Sequence, residues 1–139
     1  MPNLSYNITK RERDCLVALI ESLDGNFPTR LVTLSRKMNI KPPTLLEIVR
    51  RLGEKGLVLN RSGMLMPTES GLELYTEIVE AHRVLECMSV LANHSSSQAC
   101  SEASHYDYIM EHETVHALWN LLGKPQKCPH GKKIEVDKL

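Results

Sequence analysis

Apolar residues recur along this chain at helical spacing, with one stretch where they alternate instead. Over residues 9–23, TKRERDCLVALIESL, the positions Cys15, Leu16, Leu19, Ile20 and Leu23 share one face, which predicts an amphipathic helix. Thr9 with Glu12 three residues on is the spacing of a capping box, and Asp24-Gly25-Asn26 ends the helix. Residues 29–39 predict a short second helix with Leu31, Leu34 and Met38 inward. Pro42-Pro43-Thr44 then opens a third, because the first-turn N–H groups of a helix have no intrahelical partner to lose. Its apolar stripe is Leu45, Ile48, Val49 and Leu52, and Gly56 is placed to stop it.

The pattern changes over residues 57–68, LVLNRSGMLMPT. Val58-Leu59 and Met64-Leu65-Met66 read as extended, with a turn at Arg61-Ser62-Gly63 between them, predicting a two-stranded hairpin. Two helices joined by a tight turn and followed by a small hairpin make a winged helix-turn-helix. Thr68 then caps a long helix with two apolar stripes. One runs Leu74, Ile78, Ala81, Leu85, Met88, Ala92; the other runs Leu72, Tyr75, Val79 and continues in register to His82 and Glu86. Two stripes call for cover on two sides. Ser95-Ser96-Ser97 reads as a loop and cap. Residues 98–113 predict a helix with Cys100, Ser104 and Asp107 on one face, and a last helix ends at Gly123. The fold class expected is mostly α: a winged helix-turn-helix with a two-stranded wing over residues 1–68, then a helical dimerisation and metal-binding domain over residues 69–139.

Charge sharpens this division. The net charge of the chain is zero. Residues 1–61 hold 11 Lys+Arg against 6 Asp+Glu; residues 62–139 hold 6 against 11, together with all six histidines. A basic first half suits a polyanion, and an acidic, His-rich second half suits a cation. No apolar run approaches the ~20 residues needed to span a bilayer, and the first residues lack the apolar stretch of a signal peptide. A cytoplasmic protein with no membrane partner is therefore expected. Cys15, Cys87, Cys100 and Cys128 form no C-x-x-C pair and read as free thiols or ligands rather than a disulfide framework.

The stretch EAHRVLE (80–86) sets an imidazole and a carboxylate one helical turn apart, in line with apolar residues. Taken alone this is an ion pair or a pair of metal ligands. Five segments together resemble the diphtheria-toxin repressor family, including its manganese-responsive branch: PPTLLEIVRRLGEKGLV, LMPTESGLEL, EAHRVLE, EASHYDYIM and LLGKPQKCPHGKKI. The resemblance implies a metal-responsive, homodimeric transcriptional repressor that is not an enzyme and binds a pseudo-palindromic double-stranded DNA operator. It implies metal ligands at His82 and Glu86, at Cys100 where relatives have a histidine, at Asp107 where they have glutamate, and at Asp14 in the first helix. Ser104 and Tyr108 depart from expected ligands, since a neutral phenol with a reference pKa of ~10 binds divalent ions poorly. One of the family's two sites is therefore expected to be impaired. His105 and His112 are alternatives if the helix is rotated.

An imidazole, carboxylate and thiolate set favours zinc among divalent transition metals, with iron or manganese as the other candidates. Cys128 and His130 are expected to form a structural terminal turn. For DNA, Pro43, Thr44 and Glu47 lie where base edges are read, Arg50, Arg51 and Lys41 are placed for phosphates, and Arg61 sits at the wing tip. Glu47 either accepts from a cytosine amino group or weakens binding. The alternative reading is a winged-helix regulator that has lost metal control, with a structural ion or redox-sensitive thiols.

Overall fold

The structure is a computed structural model that describes residues 6–136. Internal packing divides the chain into two compact units, Ile8–Tyr75 and the residues from Thr76 onward together with Tyr6 and Asn7, so the boundary at Thr76 falls inside a helix.

The first unit holds helix α1 (Lys10–Glu21), strand β1 (Thr29–Arg30), α2 (Leu31–Met38), α3 (Pro42–Glu54) and strands β2 (Val58–Arg61) and β3 (Met64–Pro67). The capping box on α1 forms in full: the Thr9 side chain accepts from Glu12 N–H, and the Glu12 carboxylate accepts from Thr9 N–H. Glu12 is only 2% exposed, and its charge is met by Lys55 Nζ at 2.5 Å, which ties α1 to the end of α3. Pro42 and Pro43 occupy the first turn of α3, as their fixed φ favours. The core is built from Leu16, Leu19, Leu34, Leu45, Leu52, Leu57 and Leu65, all fully buried.

The sheet has three strands in the order β1-β3-β2, all antiparallel, rather than two. Thr29 pairs with Leu65 and Arg30 with Met64. α2 therefore starts two residues later than its periodicity suggests. Its N-cap, Arg30, makes no side-chain cap, and the first amide, Leu31 N–H, instead donates to Gly63 O at 2.8 Å. A strand this short is invisible locally because its partners, Leu65 and Met64, are distant in sequence.

α4 (Glu69–Leu91) begins in the first unit and runs into the second. Thr68 Oγ accepts from Gly71 N–H at 3.0 Å and donates to Gly56 O at 2.6 Å. Gly71 is required by close approach: a Cβ there would stand 2.2 Å from Leu57 O. The second unit adds α5 (Ser96–Ala103) and α6 (His112–Leu121). Its core gathers Ala81, Val84, Val115, Trp119, Cys128, Ile134 and Val136.

α5 is shorter than expected. After Ala103 the backbone tightens into turns, with His105 N–H bonding Glu102 O and Tyr106 N–H bonding Ala103 O, both i→i+3. Ser104 Oγ donates to Ser101 O at 2.7 Å, a local bond that competes with helix continuation. Cys100, Ser104 and Asp107 therefore do not share one helical face.

Candidate functional site

The second unit lays its C-terminal segment along α4. Arg83 Nη1 donates to Lys133 O at 2.7 Å, and Glu80 accepts from Glu135 N–H at 2.8 Å. Burial raises the Glu80 carboxyl, offset in part by that N–H and by Arg83. Trp119 Nε1 donates to Pro125 O at 3.0 Å, fixing the chain after α6. A tight turn follows. Cys128 N–H bonds Lys132 O at 2.8 Å, Gly131 N–H bonds Cys128 O at 2.8 Å, and Gly131 takes φ of 80°. This turn brings Cys128 and His130 to the same stretch of α4 that carries His82 and Glu86.

Glu86 is the centre of the arrangement. It is 3% exposed, although a carboxylate so placed needs compensation. Glu86 Oε1 lies 3.2 Å from His82 Nε2, and Oε2 lies 2.6 Å from His130 Nδ1. That second approach is not a well-directed hydrogen bond, and Oε2 is a buried oxygen without a hydrogen-bond partner. Cys100 Sγ stands 3.6 Å from His82 Nε2. Two donor groups result: His82, Glu86 and Cys100, and Glu86, Cys128 and His130, each with donor atoms within 4.8 Å of one another. Each offers one imidazole, one thiol and the same carboxylate.

His82 is held from behind. Its Nδ1 lies 2.9 Å from Asp107 Oδ2, and the Asp107 side chain is fully buried. With the proton on Nδ1, which this carboxylate selects, Nε2 presents its lone pair toward Glu86 and Cys100. A carboxylate behind a histidine is the usual way of fixing the tautomer and ring plane of a metal ligand. The Cys128 sulfur accepts from Lys132 N–H at 3.3 Å. These donors fit a borderline-soft divalent cation, and the buried Glu86 oxygen without a hydrogen-bond partner is the observation that asks for one.

The remaining sequence candidates join neither donor group among the described residues. Asp14 belongs to the first compact unit, where Lys10 Nζ lies at 2.6 Å and Arg13 Nη1 at 2.9 Å. Ser104 caps α5 and Tyr108 lies in the turn after it; neither joins a donor group among the described residues. His105 and His112 also lie outside both groups. Cys128 does pack in the core, as a structural turn requires, yet it and His130 complete the second donor group. The spacing Cys128-Pro129-His130 was visible in the sequence; its nearness to Glu86 was not.

In the first unit, Lys41 is the N-cap of α3, and Pro43, Glu47, Arg50 and Arg51 are exposed on that helix. Thr44 is half-buried. Pro43, Thr44, Glu47 and Arg51 line an open groove with Lys10 and Arg11 of α1, two cations that local reading had not placed there. Arg61 ends β2 at the wing turn, and a second open groove between the wing, α2 and α3 is lined in part by Arg30 and Arg36.

Comparison with known proteins points the same way. Residues 68–135 match the family model described as "Iron dependent repressor, metal binding and dimerisation domain". An uncharacterized HTH-type transcriptional regulator of Aeropyrum pernix is 27% identical over 120 residues, covering 85% of this chain and 66% of that protein. The crystal structure of a hypothetical protein from Sulfolobus solfataricus aligns with a TM-score of 0.78 at 30% identity, over 92% of this chain and 99% of that one. ScaR with bound Zn2+ aligns with a TM-score of 0.72 at 25% identity, over 88% of this chain and 58% of ScaR. ScaR, described as a manganese-activated repressor, has also been solved with Cd2+. The chain thus spans just under two thirds of the curated regulator and somewhat over half of ScaR.

Proposed function

Because the chain belongs to the diphtheria-toxin repressor and manganese-regulator family of metal-dependent winged-helix repressors, we propose that it acts as a homodimer whose affinity for operator DNA is set by a divalent transition metal on His82, Glu86 and Cys100. The observation that carries this reading is the buried Glu86 carboxylate, flanked by two imidazoles and two thiols and with one oxygen lacking a hydrogen-bond partner. Asp107 orients His82 and is not itself a ligand. Cys128 and His130 offer a second set of donors to the same carboxylate. Asp14 is paired with Lys10 and Arg13 and is left out of the proposed ligand set.

His82, Glu86 and Cys100 would hold the ion, whose charge would compensate Glu86 and tie α4 to α5. α4 itself continues from that site into the winged unit. The gain in DNA affinity is limited to the ion's preference for the binding-competent arrangement. Zinc suits the nitrogen, oxygen and sulfur donors best; iron(II) follows, and manganese is least favoured by thiols.

Homodimerisation is supported by the family model and by exposed apolar side chains on the second unit, including Leu91 at 70%, Ile109 at 63% and Leu121 at 82% exposure. Two α3 helices then meet successive major grooves of a pseudo-palindrome about 34–36 Å apart. No helix among the described residues is long and apolar enough to cross a membrane. A double-stranded DNA partner supports a cytoplasmic location.

The test is a titration of zinc, iron(II) and manganese against DNA binding at fixed salt, since phosphate contacts make affinity steeply salt-dependent. The wild-type chain gains affinity with metal; a variant carrying His82→Ala and Glu86→Ala does not, while remaining a folded dimer. Equal metal response in the two proteins overturns the assignment.

A further inference from the structure

The helix that reads DNA is not as basic as its arginines suggest. Arg50 Nη2 lies 2.6 Å from Glu47 Oε1, and Arg50 Nε donates to Glu47 Oε2 at 3.0 Å, a two-point fork. Arg50 also pairs with Glu54. Arg51 Nε lies 3.4 Å from the same Glu47 oxygen. One carboxylate therefore draws on both arginines, and all three side chains are about half exposed, at 48–53%. The Glu47 carboxyl is held below its usual range, first by the Arg50 hydrogen bond. Glu47 also lines the groove shared with Lys10, Arg11, Pro43, Thr44 and Arg51, where a DNA strand would lie.

We propose that Glu47 is a specificity-determining residue: it keeps Arg50 and Arg51 from phosphates on non-cognate DNA and releases them when a base-edge amino group takes its place. The inference rests on the DNA-binding reading above. Phosphates attract any free arginine regardless of sequence, so an unguarded pair adds affinity everywhere and discrimination nowhere. A carboxylate between them opposes that uniform gain, because it occupies their N–H groups and repels phosphate itself. In the major groove the exocyclic amino group of cytosine is a donor that a carboxylate accepts. At a site presenting that group, Glu47 exchanges its arginine bonds for a base bond; Arg51 loses its carboxylate partner and Arg50 keeps only its exposed pair with Glu54, so both guanidinium groups can turn to the backbone. Base reading and phosphate binding are thereby coupled through one side chain.

The experiment measures binding of the metal-loaded full chain to two duplexes by fluorescence anisotropy between roughly 50 and 200 mM salt, the range over which phosphate contacts dominate. One duplex has random sequence; the other is the best binder selected by the wild-type protein from a randomised pool. Glu47→Gln is expected to bind the random duplex more tightly, with a salt slope steeper by about 0.9 for each arginine released. Across that range this is an extra fall of about 3.5-fold for one arginine and about twelvefold for two. The ratio of selected to random affinity is expected to drop at least about fivefold, the low end of what one base contact discriminates. Adding Arg50→Ala to Glu47→Gln should return the slope by about one phosphate contact. Wild-type protein that binds DNA while Glu47→Gln shows the same slope and ratio, or weaker random binding, overturns the role of Glu47 and leaves the repressor reading standing. Absence of DNA binding by the wild-type protein with every metal overturns both.

Discussion

Replacing Asp107 separates a ligand from a residue that orients one. Its carboxylate is fully buried and sits 2.9 Å from His82 Nδ1, on the side of the ring away from Glu86 and Cys100. Orienting carboxylates of this kind contribute about 10–100-fold in metal affinity, or about 1.4–2.8 kcal/mol. Asp107→Asn keeps the shape and can still accept from Nδ1–H, but it forfeits the charge, and charged hydrogen bonds are about twice as strong as neutral ones. The expected loss is therefore near the lower figure, about tenfold. Asp107→Ala also leaves a buried imidazole N–H unsatisfied, and its loss should lie near the upper figure, about a hundredfold. His82→Ala removes a donor outright and should exceed both. The assay is competition for zinc against a chromophoric chelator, with bound metal counted per chain. An Asp107→Asn protein that binds zinc as tightly as wild type refutes the orienting role. A loss equal to that of His82→Ala refutes it too, because Asp107 would then be coordinating directly.

Two further outcomes test the fold that carries the site. Gly71→Ala would gain about 1 kcal/mol of helix propensity at an open position, but here its Cβ meets Leu57 O at 2.2 Å; the net effect should be a destabilisation of about 2 kcal/mol, read as a lowered denaturation midpoint, and an unchanged or raised midpoint contradicts the packing. Burial pushes the Cys15 thiol up to about 12 from 9.0, with Asp14 and Glu12 adding to the shift. Its contribution to stability should thus be complete below about pH 9 and decline from there toward pH 12, because the unfolded thiol ionises first; a Cys15→Ala variant that loses stability in parallel with wild type over that window would show the shift to be wrong.

The amino-acid pattern alone determined what is local. Helical periodicity marked α1, α3 and α4, Thr9 with Glu12 announced a capping box that forms in full, and Ser62-Gly63 marked the wing turn, where both residues take positive φ. These features depend on neighbours within four or five residues, so the sequence carries them openly. The ion pairs of Glu47 with Arg50 and Arg51 are of the same kind, three and four residues apart. What lay beyond reach was set by contacts between distant residues. β1 needs a distant partner in Met64 and Leu65; the end of α5 depends on turns that no period marks; Asp107 reaches His82 across 25 residues, and Glu135 reaches Glu80 across 55. Spacing placed His82 and Glu86 side by side, but only tertiary packing put Asp107 behind the ring and brought Cys128 and His130 to the same carboxylate. The physical reason is that a buried charge is compensated by whatever the folded chain brings within a few ångströms, and chain order does not record that distance.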